Sequence, residues 1–507
     1  MGLAIVHSRA SVGVEAPNVT VEVHISNGMP GFTLVGLPET TVKESRDRVR
    51  SAIINSRFEF PAKRITVNLA PADLPKEGGR FDLPIALGIL AASEQLPVTE
   101  LNDKEFVGEL ALSGELRTVK GVLPAALAAN RDKRSLVVPH QNGDQAALVG
   151  KATHKSAQSL LEVCADLCGQ QSLSLHQTSN RIQPASNGRD LQDIIGQQQG
   201  KRALEIAAAG NHNLLFLGPP GTGKTMLASR LCDLLPEMND EEAMETASVA
   251  SLTQQEININ NWKQRPFRAP HHSSSMAALV GGGSIPRPGE ISLAHNGLLF
   301  LDEMPEFERK VLDSLREPLE SGEIIISRAQ GKTRFPARFQ LVGALNPSPT
   351  GYYEGNQSRV NPQTILRYLS RLSGPLLDRF DMSIEIPSLP KGTLAEGGDR
   401  GEPTSVVRDR VLEARARMEH RAKKSNALLG SREIEKHCPL QKQDAQFLES
   451  ALHQLGLSIR AYHRIIKVAR TIADLEGKSH IERSHLAEAL GYRAMDRLLK
   501  QLTAQAV

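Results

Sequence analysis

Cysteine, long apolar runs and an excess of one charge are all scarce in this sequence. Four cysteines in 507 residues are too few for a disulfide framework, which favours a reducing compartment. No run of about 18 apolar residues is present, so the sequence predicts no membrane-spanning helix. The first 15 residues lack the basic region and apolar core of a signal peptide. These absences predict a cytoplasmic protein with no membrane partner.

Charge is almost balanced, with 60 Lys and Arg against 57 Asp and Glu. The overall charge therefore neither indicates nor excludes nucleic acid, and any such site must be a local basic patch. Cys164 and Cys168 are one helical turn apart without a second pair nearby. That spacing is more typical of buried helical thiols than of a metal site.

Composition and periodicity divide the chain into five segments. Residues 1–170 mix strand-like and helix-like patterns, and the polar residues 171–189 form a linker. Residues 190–388 alternate helices with apolar strands, which predicts an α/β fold with a mostly parallel sheet. Residues 389–405 form a loop rich in Gly and Pro, and residues 406–507 show only helical patterns.

The stretch LLFLGPPGTGKTMLASRL predicts a phosphate-binding loop between a strand and a helix. Its glycines let backbone N–H groups turn towards phosphate oxygens, and the helix N-terminus adds a favourable dipole. Lys224 is expected to reach the β- and γ-phosphates of ATP, and Thr225 to bind Mg²⁺. The predicted ATP-binding residues are Gly218, Pro219, Pro220, Gly221, Thr222, Gly223, Lys224 and Thr225.

Polar residues end two later apolar strands. In GLLFLDEMPEF the strand is followed by Asp302 and Glu303, and the carboxyl ends of such strands lie beside the phosphate loop. We expect Asp302 to hold Mg²⁺ and Glu303 to deprotonate the attacking water. The strand in FQLVGALNPS ends in Asn346, which could position the same water. A turn or helix-cap asparagine is the alternative.

These three parts together resemble the AAA+ class of P-loop ATPases, in which ATP lies between neighbouring subunits of a ring. The resemblance implies that Asn346 is sensor 1 and that the C-terminal helices form a lid. In SGPLLDRFDM it implies that Arg379 is an arginine finger acting on the adjacent subunit's ATP. A surface ion pair of Arg379 is the alternative. LSIRAYHR resembles sensor 2, with Arg460 as the first candidate and Arg464 as the second.

Longer stretches narrow the resemblance. DIIGQQQGKRALEIAAAGNHNLLFLGPPGTGKT, FRAPHHSSSMAALVGGGSIPRPGEISLAHNGLLFLDE and RLSGPLLDRFDMSIEIP resemble the magnesium-chelatase-like ATPases of the ComM/YifB family, over nearly the whole chain. That family is associated with DNA branch migration in natural transformation. The resemblance implies a helicase that uses ATP and Mg²⁺ and forms a hexameric ring on single-stranded and branched DNA, without sequence preference. A chelatase-like remodeller of protein complexes is the alternative.

The N-terminal segment is similar to the Lon-protease-like α+β domain of this family. Lon-type proteases use a Ser–Lys pair, whereas this chain has no serine at positions 78–82 and has Leu123 and Ala125 in the candidate lysine positions. Lys120 lies too early, so we expect no peptidase activity. The domain is instead expected to serve assembly or DNA binding, with solvated surface charge as the simpler reading for its candidate cations Lys63, Lys76 and Arg80.

Many relatives carry a cysteine cluster after sensor 1. Here that segment reads NPSPTGYYEGNQSRVNP, with Ser348 and Thr350 in place of cysteines. We therefore expect no structural zinc. The adjacent His271 and His272 would point different ways on a helix or strand, which favours structural or coupling roles over a metal site.

ESGEIIISRAQGKTRFPARFQLVGALN contains two apolar runs, Glu323–Ser327 and Phe339–Ala344, joined by a basic turn. The pattern predicts a β-hairpin. By the clade resemblance this hairpin faces the ring pore and moves with ATP hydrolysis. The predicted DNA-binding residues, which would contact phosphates without reading sequence, are Arg328, Lys332, Arg334 and Arg338.

Overall fold

The structure is a computed structural model of the chain. It describes residues 2–36, 44–74, 76, 78–149, 154–175, 189–253, 262–283, 286–328, 331–350, 361–390, 392–393 and 399–506. Within the predicted linker, residues 176–188 lie outside the described residues. Within the predicted loop, residue 391 and residues 394–398 lie outside them as well. None of the helices in the described ranges is both long and apolar enough to cross a membrane.

The N-terminal region is built on a seven-stranded mixed sheet in the order β3-β4-β2-β1-β5-β8-β9. Alternate residues of β2 face the core, as expected for a strand with one buried face. Helix α2 is hydrophobic all round and buried throughout, between the sheet and the rest of the domain. Strands β1 to β9 are Gly2–Arg9, Asn18–Ser26, Gly31–Val35, Arg64–Ala70, Lys104–Phe106, Glu109–Leu110, Leu116–Arg117, Ser135–Pro139 and Lys155–Ala157, and helices α1 to α5 are Ser45–Asn55, Asp82–Ala92, Val122–Arg131, Gly143–Ala147 and Leu160–Leu167.

The central region contains a five-stranded sheet in the order β11-β14-β17-β10-β18, with all neighbouring strands parallel. The parallel sheet expected from the sequence is therefore confirmed. Strands β10, β14 and β17 are buried along their whole length because their side chains are apolar on both faces. Strands β10 to β14 are Leu214–Leu217, Phe267–Arg268, Gly281–Gly282, Arg287–Pro288 and Leu298–Leu301, and strands β15 to β18 are Glu323–Arg328, Gly331–Pro336, Gln340–Leu345 and Met382–Glu385.

Nine helices in the described part of this region surround the sheet. Helix α6 precedes β10 and helix α7 follows it, and the two helices pack against each other in one core. Helix α8 contacts the N-terminal region. Helices α6 to α14 are Gln198–Gly210, Lys224–Leu234, Asp240–Ser251, Met276–Val280, Glu290–Leu293, Arg309–Asp313, Arg316–Ser321, Pro362–Leu369 and Gly374–Leu377.

In the described part of the C-terminal region the helices are joined by short loops. Helices α15 and α18 pack on α6, whereas the last helix, α20, packs on α13 and β18. Helix α15 begins at Thr404, directly after Pro403, because proline is favoured where a helix starts. The loop predicted to end at residue 405 thus ends two residues earlier. Helices α15 to α20 are Thr404–Ala422, Ser431–His437, Lys442–Leu455, Ile459–Leu475, Arg483–Gly491 and Ala494–Ala506.

The hairpin pairs different strands from those expected. Strand β15 pairs antiparallel with β16, which is the basic segment itself. The second apolar run belongs instead to β17, in the middle of the parallel sheet. Burial explains the difference, because every residue of β17 is buried, whereas a hairpin strand keeps one face in water. The sequence prediction of a hairpin is correct and its predicted second strand is wrong.

Candidate ATP site and arginine face

The phosphate loop connects β10 to helix α7. Gly221 and Gly223 have positive φ angles of 79° and 88°, which favour glycine. A Cβ atom on either would meet nothing within 4 Å, so the loop borders open space where phosphates fit. Gly218 is needed for a different reason, since its Cβ would lie 2.2 Å from the Ile386 carbonyl oxygen. The glycines therefore fix both the loop's shape and its close contact with the sheet.

Lys224 is the first residue of α7 and is buried. Its Nζ atom donates hydrogen bonds to the carbonyl oxygens of Gly218 at 2.7 Å and Pro219 at 2.8 Å, and to Oδ1 of Asn346 at 3.1 Å. Burial lowers the pKa of Lys224, and the carboxylates of Asp302 and Glu303 act in the opposite direction. The structure thus brings Lys224 and Asn346 together, although 122 positions separate them in the sequence.

Thr225 and Asp302 also meet beside the phosphate loop. The Thr225 hydroxyl donates to Oδ2 of Asp302 at 2.6 Å. A hydroxyl and a carboxylate are oxygen ligands of the kind that Mg²⁺ prefers, with water and substrate phosphates completing its shell. The pair therefore fits the predicted magnesium site in both position and chemistry.

Glu303 follows Asp302 in a left-handed backbone conformation, with φ 50° and ψ 45°. A non-glycine residue in this region is uncommon, and such strain is concentrated at functional sites. Its Oε2 atom lies 3.2 Å from Nδ1 of His272. His272 comes shortly after β11, whose neighbour in the sheet is β14, so both residues lie at the carboxyl edge of parallel strands. The expectation that His271 points a different way is wrong, because its ring packs on that of His272 with centroids 4.1 Å apart; it also contacts the Ser273 hydroxyl at 2.8 Å.

Arg379 lies at the opposite edge of the same sheet. Its carbonyl oxygen accepts a hydrogen bond of 2.9 Å from the side chain of Asn213, just before β10. Gly218 of the phosphate loop comes just after β10, and the five residue steps between Asn213 and Gly218 span about 16 Å in a strand. One subunit therefore keeps Arg379 well away from its own phosphate loop.

Arg460 and Arg464 lie against Asp378 near this edge, and Arg316, Arg460 and Arg464 are close enough to Arg379 to act on its charge. We refer to Arg316, Arg379, Arg460 and Arg464 as the arginine face. Burial lowers the pKa of Arg379, and the other three arginines lower it further. Within the subunit Arg379 forms an ion pair with Glu320 on α12. A cluster of this kind stores positive charge that an incoming polyphosphate would neutralise.

The two sensor 2 candidates differ in their surroundings. Arg464 is buried, donates to Oδ1 of Asp378 at 3.0 Å and to the Phe380 carbonyl oxygen at 3.3 Å. Arg460 is 77% exposed and lies 3.6 Å from Oδ2 of Asp378. Arg464 is thus held inside the subunit, whereas Arg460 projects from it.

The hairpin has one buried and one exposed face. Ile324, Ile326 and Phe335 pack into the core, whereas Lys332 and Arg334 alternate with them and are exposed. Arg334 is 72% exposed and lies 3.8 Å from Glu323, a weak surface contact.

Two other predicted DNA contacts have different surroundings from Lys332 and Arg334. Arg338 follows the hairpin, and its guanidinium lies 2.5 Å from Glu245 on α8. The Glu245 carboxylate therefore neutralises the charge of Arg338 in part, and less of that charge is available to DNA phosphates. Arg328 ends β15, and its side chain lies outside what the structure describes.

Two residues of the site have no assigned role in the sequence motifs. Arg316 joins the arginine face from a helix that precedes the hairpin, and no local pattern marks it. In the sequence His272 stands out only as the neighbour of His271, and its contact with Glu303 depends on the pairing of β11 with β14. The N-terminal candidate Lys76 is fully buried and donates to the carbonyl oxygens of Gly36 and Leu74, so it is not the surface cation expected.

The segment after sensor 1 begins with a hydroxyl contact between Ser348 and Thr350 at 3.1 Å. Residues 351–360 lie outside the described part of the chain. Among the described residues, no group of three or more His, Cys, Asp or Glu side chains is arranged to hold a metal ion.

Three family models of magnesium chelatase match parts of this chain. Residues 190–394 match the family described as magnesium chelatase, subunit ChlI, residues 21–142 match subunit ChlI of Mg-chelatase, and residues 401–493 match the ChlI C-terminal family.

Individual relatives match over the full length. Competence protein ComM of Haemophilus influenzae is 66% identical over 507 residues, which cover 99% of this chain and 100% of that protein. YifB of Escherichia coli is 58% identical over 502 residues, covering 99% of each chain. The 38 kDa magnesium-chelatase subunit of Rhodobacter capsulatus is 29% identical over 353 residues, covering 60% of this chain and 88% of that protein. The chain therefore belongs to the ComM/YifB family of magnesium-chelatase-like AAA+ proteins.

Proposed function

We propose that this protein is an ATP-driven DNA helicase that assembles as a hexameric ring and promotes branch migration of recombination intermediates during natural transformation. The observation that carries the proposal is the separation of Lys224 and Arg379 on opposite edges of one sheet. A subunit of this shape completes its ATP site only when a neighbour's Arg379 faces its phosphate loop. A closed ring provides that arrangement at every interface.

The residues at the carboxyl edge of the sheet then have different roles in ATP hydrolysis. Lys224 and the N–H groups of the phosphate loop bind the phosphates of ATP. Glu303 accepts a proton from the attacking water, which Asn346 helps to orient. Thr225 and Asp302 would hold Mg²⁺, which would supply positive charge against the charge that develops on the phosphates.

The arginine face acts on the neighbouring subunit. Arg379 stabilises the negative charge that develops on the transferred phosphoryl group, an effect worth roughly 10³–10⁵ in rate. Arg460 is the proposed sensor 2 residue, and its exposure of 77% leaves it available across an interface. Arg464 serves to hold the lid against Asp378.

DNA is the proposed partner because the hairpin presents Lys332 and Arg334 on its exposed face. Contacts of this kind bind phosphates of single-stranded or branched DNA without reading sequence. The name of the Haemophilus relative, a competence protein, supports a role in DNA uptake and therefore a cytoplasmic location.

A synthetic four-way junction and a three-stranded junction provide the direct test. Wild-type protein with ATP and Mg²⁺ is expected to convert both into their separated products. Glu303→Gln protein is the matched control, because it should bind ATP and assemble yet leave the junctions intact. Wild-type rings that hydrolyse ATP and leave both junctions unchanged would refute the proposal.

A remodeller of protein complexes is the second candidate, and the relationship to the magnesium-chelatase 38 kDa subunit favours it. The two candidates differ in salt dependence. A motor that holds phosphates through Lys and Arg loses DNA affinity steeply as salt rises. A remodeller would show weak DNA binding at all salt concentrations.

For the N-terminal domain we propose no peptidase activity. Leu123 and Ala125, at the candidate lysine positions, are buried apolar residues of helix α3. A buried methyl or isobutyl group cannot activate a hydroxyl nucleophile. Incubation with casein and ATP is expected to leave the casein intact.

A further inference from the structure

A cavity of about 300 Å³ lies where the N-terminal domain meets the ATPase core. The N-terminal domain contributes Ser11, Thr118 and Lys120 to its wall. The core contributes Leu252, just beyond helix α8, and Arg287 of strand β13. A backbone hydrogen bond of 3.0 Å from Gly121 to Ser251 joins the two parts beside it. We call this space the junction cavity.

The junction cavity adjoins the basic hairpin. Gly13, which lines the cavity, packs so closely on the hairpin that a Cβ atom there would lie 2.8 Å from Cγ2 of Thr333. On the core side, a Cβ atom on Gly281, which pairs with Arg287's neighbour Pro288, would lie 3.2 Å from Cδ1 of Ile326 in the hairpin. The cavity wall and the β12–β13 insert therefore pack against the hairpin face that carries Ile326 and Thr333.

Charge on this surface favours an anion. Lys120 and Arg287 are exposed at the cavity, and Arg80 lines it from beneath. Glu109 is the acidic residue among the lining side chains, and its carboxylate already lies 3.7 Å from Arg117. The charge of the lining side chains is therefore positive on balance.

The lining chemistry also indicates which part of a nucleic acid fits. No aromatic side chain lines the described wall of the cavity. Proteins usually bind an unpaired base by stacking it on an aromatic ring, so the cavity wall is not suited to binding bases. Hydroxyls of Ser11 and Thr118 and the backbone of Gly78 line it instead. Hydroxyl, backbone and cationic groups are the usual partners of phosphate oxygens.

We propose that the junction cavity binds the sugar–phosphate backbone of a single DNA strand, with Lys120 of the N-terminal domain and Arg287 of the core on its phosphates. This inference rests on the proposed function as a DNA motor. It assigns the N-terminal domain a direct share in holding the substrate, because neither domain supplies both cations.

The test measures binding of a fluorescein-labelled oligothymidylate by anisotropy over a series of salt concentrations, with a non-hydrolysable ATP analogue present. Lys120→Gln combined with Arg287→Gln is expected to weaken binding at low salt by about tenfold or more. Loss of two phosphate contacts should also make the slope of log affinity against log salt less negative by about 1.4. The melting temperature is expected to stay at the wild-type value, since both side chains are exposed.

Arg131→Gln combined with Lys133→Gln is the matched control. These two cations lie at the far end of helix α3 from Lys120, about 15 Å away along a ten-residue helix. Affinity and salt slope are expected to match wild type in this control. A photo-crosslinking amino acid in place of Thr118 should label the oligonucleotide, which tests the site even if the charge variant is unstable.

Three outcomes separate this inference from the proposed function. If wild-type protein binds no DNA, the proposed function fails and the cavity site fails with it. If wild-type protein binds DNA and the Lys120→Gln, Arg287→Gln variant shows the same affinity and slope, the cavity site alone is wrong. Calorimetry with pyrophosphate gives the third outcome. If pyrophosphate binding depends on Lys120 and Arg287 while DNA affinity does not, the cavity is a site for small anions and the proposal is overturned.

Discussion

Nδ1 of His272 lies 3.2 Å from Oε2 of Glu303, and this contact joins the segment after the edge strand β11 to the proposed general base, which follows the next strand, β14. A carboxylate that is half exposed can rotate freely unless something holds it. His272 supplies that hold at a point where the Glu303 backbone is itself constrained in a left-handed conformation. We infer that His272 positions the carboxylate for the attacking water.

The His272→Ala substitution is expected to lower kcat for ATP about tenfold, a fraction of the effect of a general base itself. The Kd for ATP should stay unchanged, because Lys224 and Thr225 keep their contacts. His272→Gln, which retains a hydrogen-bond donor, should recover part of the rate. His453→Ala is the control, since it removes an exposed histidine of helix α17 in the C-terminal region. A DNA-free rate that rises in His272→Ala protein would mean that the contact restrains Glu303 rather than positioning it.

Lys224→Ala tests the phosphate loop. The buried ammonium group is held by two loop carbonyls and Asn346, so it is already arranged for the phosphates. Its removal is expected to weaken ATP binding about 30-fold or more, which corresponds to about 2 kcal/mol. The measurement is the rise in melting temperature on adding Mg²⁺ and an ATP analogue, which should nearly vanish. Lys442→Ala, on an exposed surface of the C-terminal helices, should keep the full rise.

Mixing of inactive variants tests whether the ATP site is shared between subunits. Glu303→Gln removes the general base at one sheet edge, and Arg379→Ala removes the finger at the other. Each variant alone should hydrolyse ATP at least about 10³-fold more slowly than wild type. A mixture should regain measurable activity, because some interfaces then pair an intact Glu303 with an intact Arg379. A mixture as inactive as its components would place the finger elsewhere.

Local motifs and long-range contacts differ in how far the sequence reveals them. The glycine loop, Asp302 and Asn346 could be predicted because each follows its strand directly, and the order of motifs places strand ends at one edge of a parallel sheet. The partner of Arg338 could not, since Glu245 is 93 residues away and the contact depends on how α8 packs. The hairpin's second strand, β16, could not be predicted, because Lys332 and Arg334 make its sequence more polar than the neighbouring β17 run and only Phe335 marks its buried face.

The two sensor 2 candidates, Arg460 and Arg464, are expected to affect different quantities when substituted. Arg464 is buried and donates to Asp378 and to the Phe380 carbonyl oxygen. Arg464→Ala removes both hydrogen bonds and leaves a gap beside Asp378, so it should lower the free energy of unfolding by about 1–3 kcal/mol. Arg460→Ala removes an exposed side chain and should leave stability within about 0.5 kcal/mol. Its expected effect is on kcat, which should fall when the ring is assembled. Thermal unfolding and steady-state ATPase rates on the same two proteins separate the roles, and an unchanged kcat in Arg460→Ala would exclude it as sensor 2.

The hairpin cations can be ranked by their contacts. Lys332 and Arg334 project from the exposed face, whereas the Arg338 guanidinium is shared with Glu245. Lys332→Ala combined with Arg334→Ala is therefore expected to weaken binding of single-stranded DNA about tenfold and to make the salt slope less negative by about 1.4. The ratio of ATPase rates with and without DNA should fall towards one, and branch migration should be lost.

Arg338→Ala provides the comparison for that double substitution, because it removes one charge that is already paired. Its effect on the salt slope should stay below about 0.7, the value expected for one full phosphate contact on a single strand. If Arg338→Ala weakens DNA binding more than the double substitution does, then Glu245 releases Arg338 when DNA binds. In that case helix α8, which carries Glu245 and ends beside the junction cavity, would connect the hairpin to the N-terminal domain.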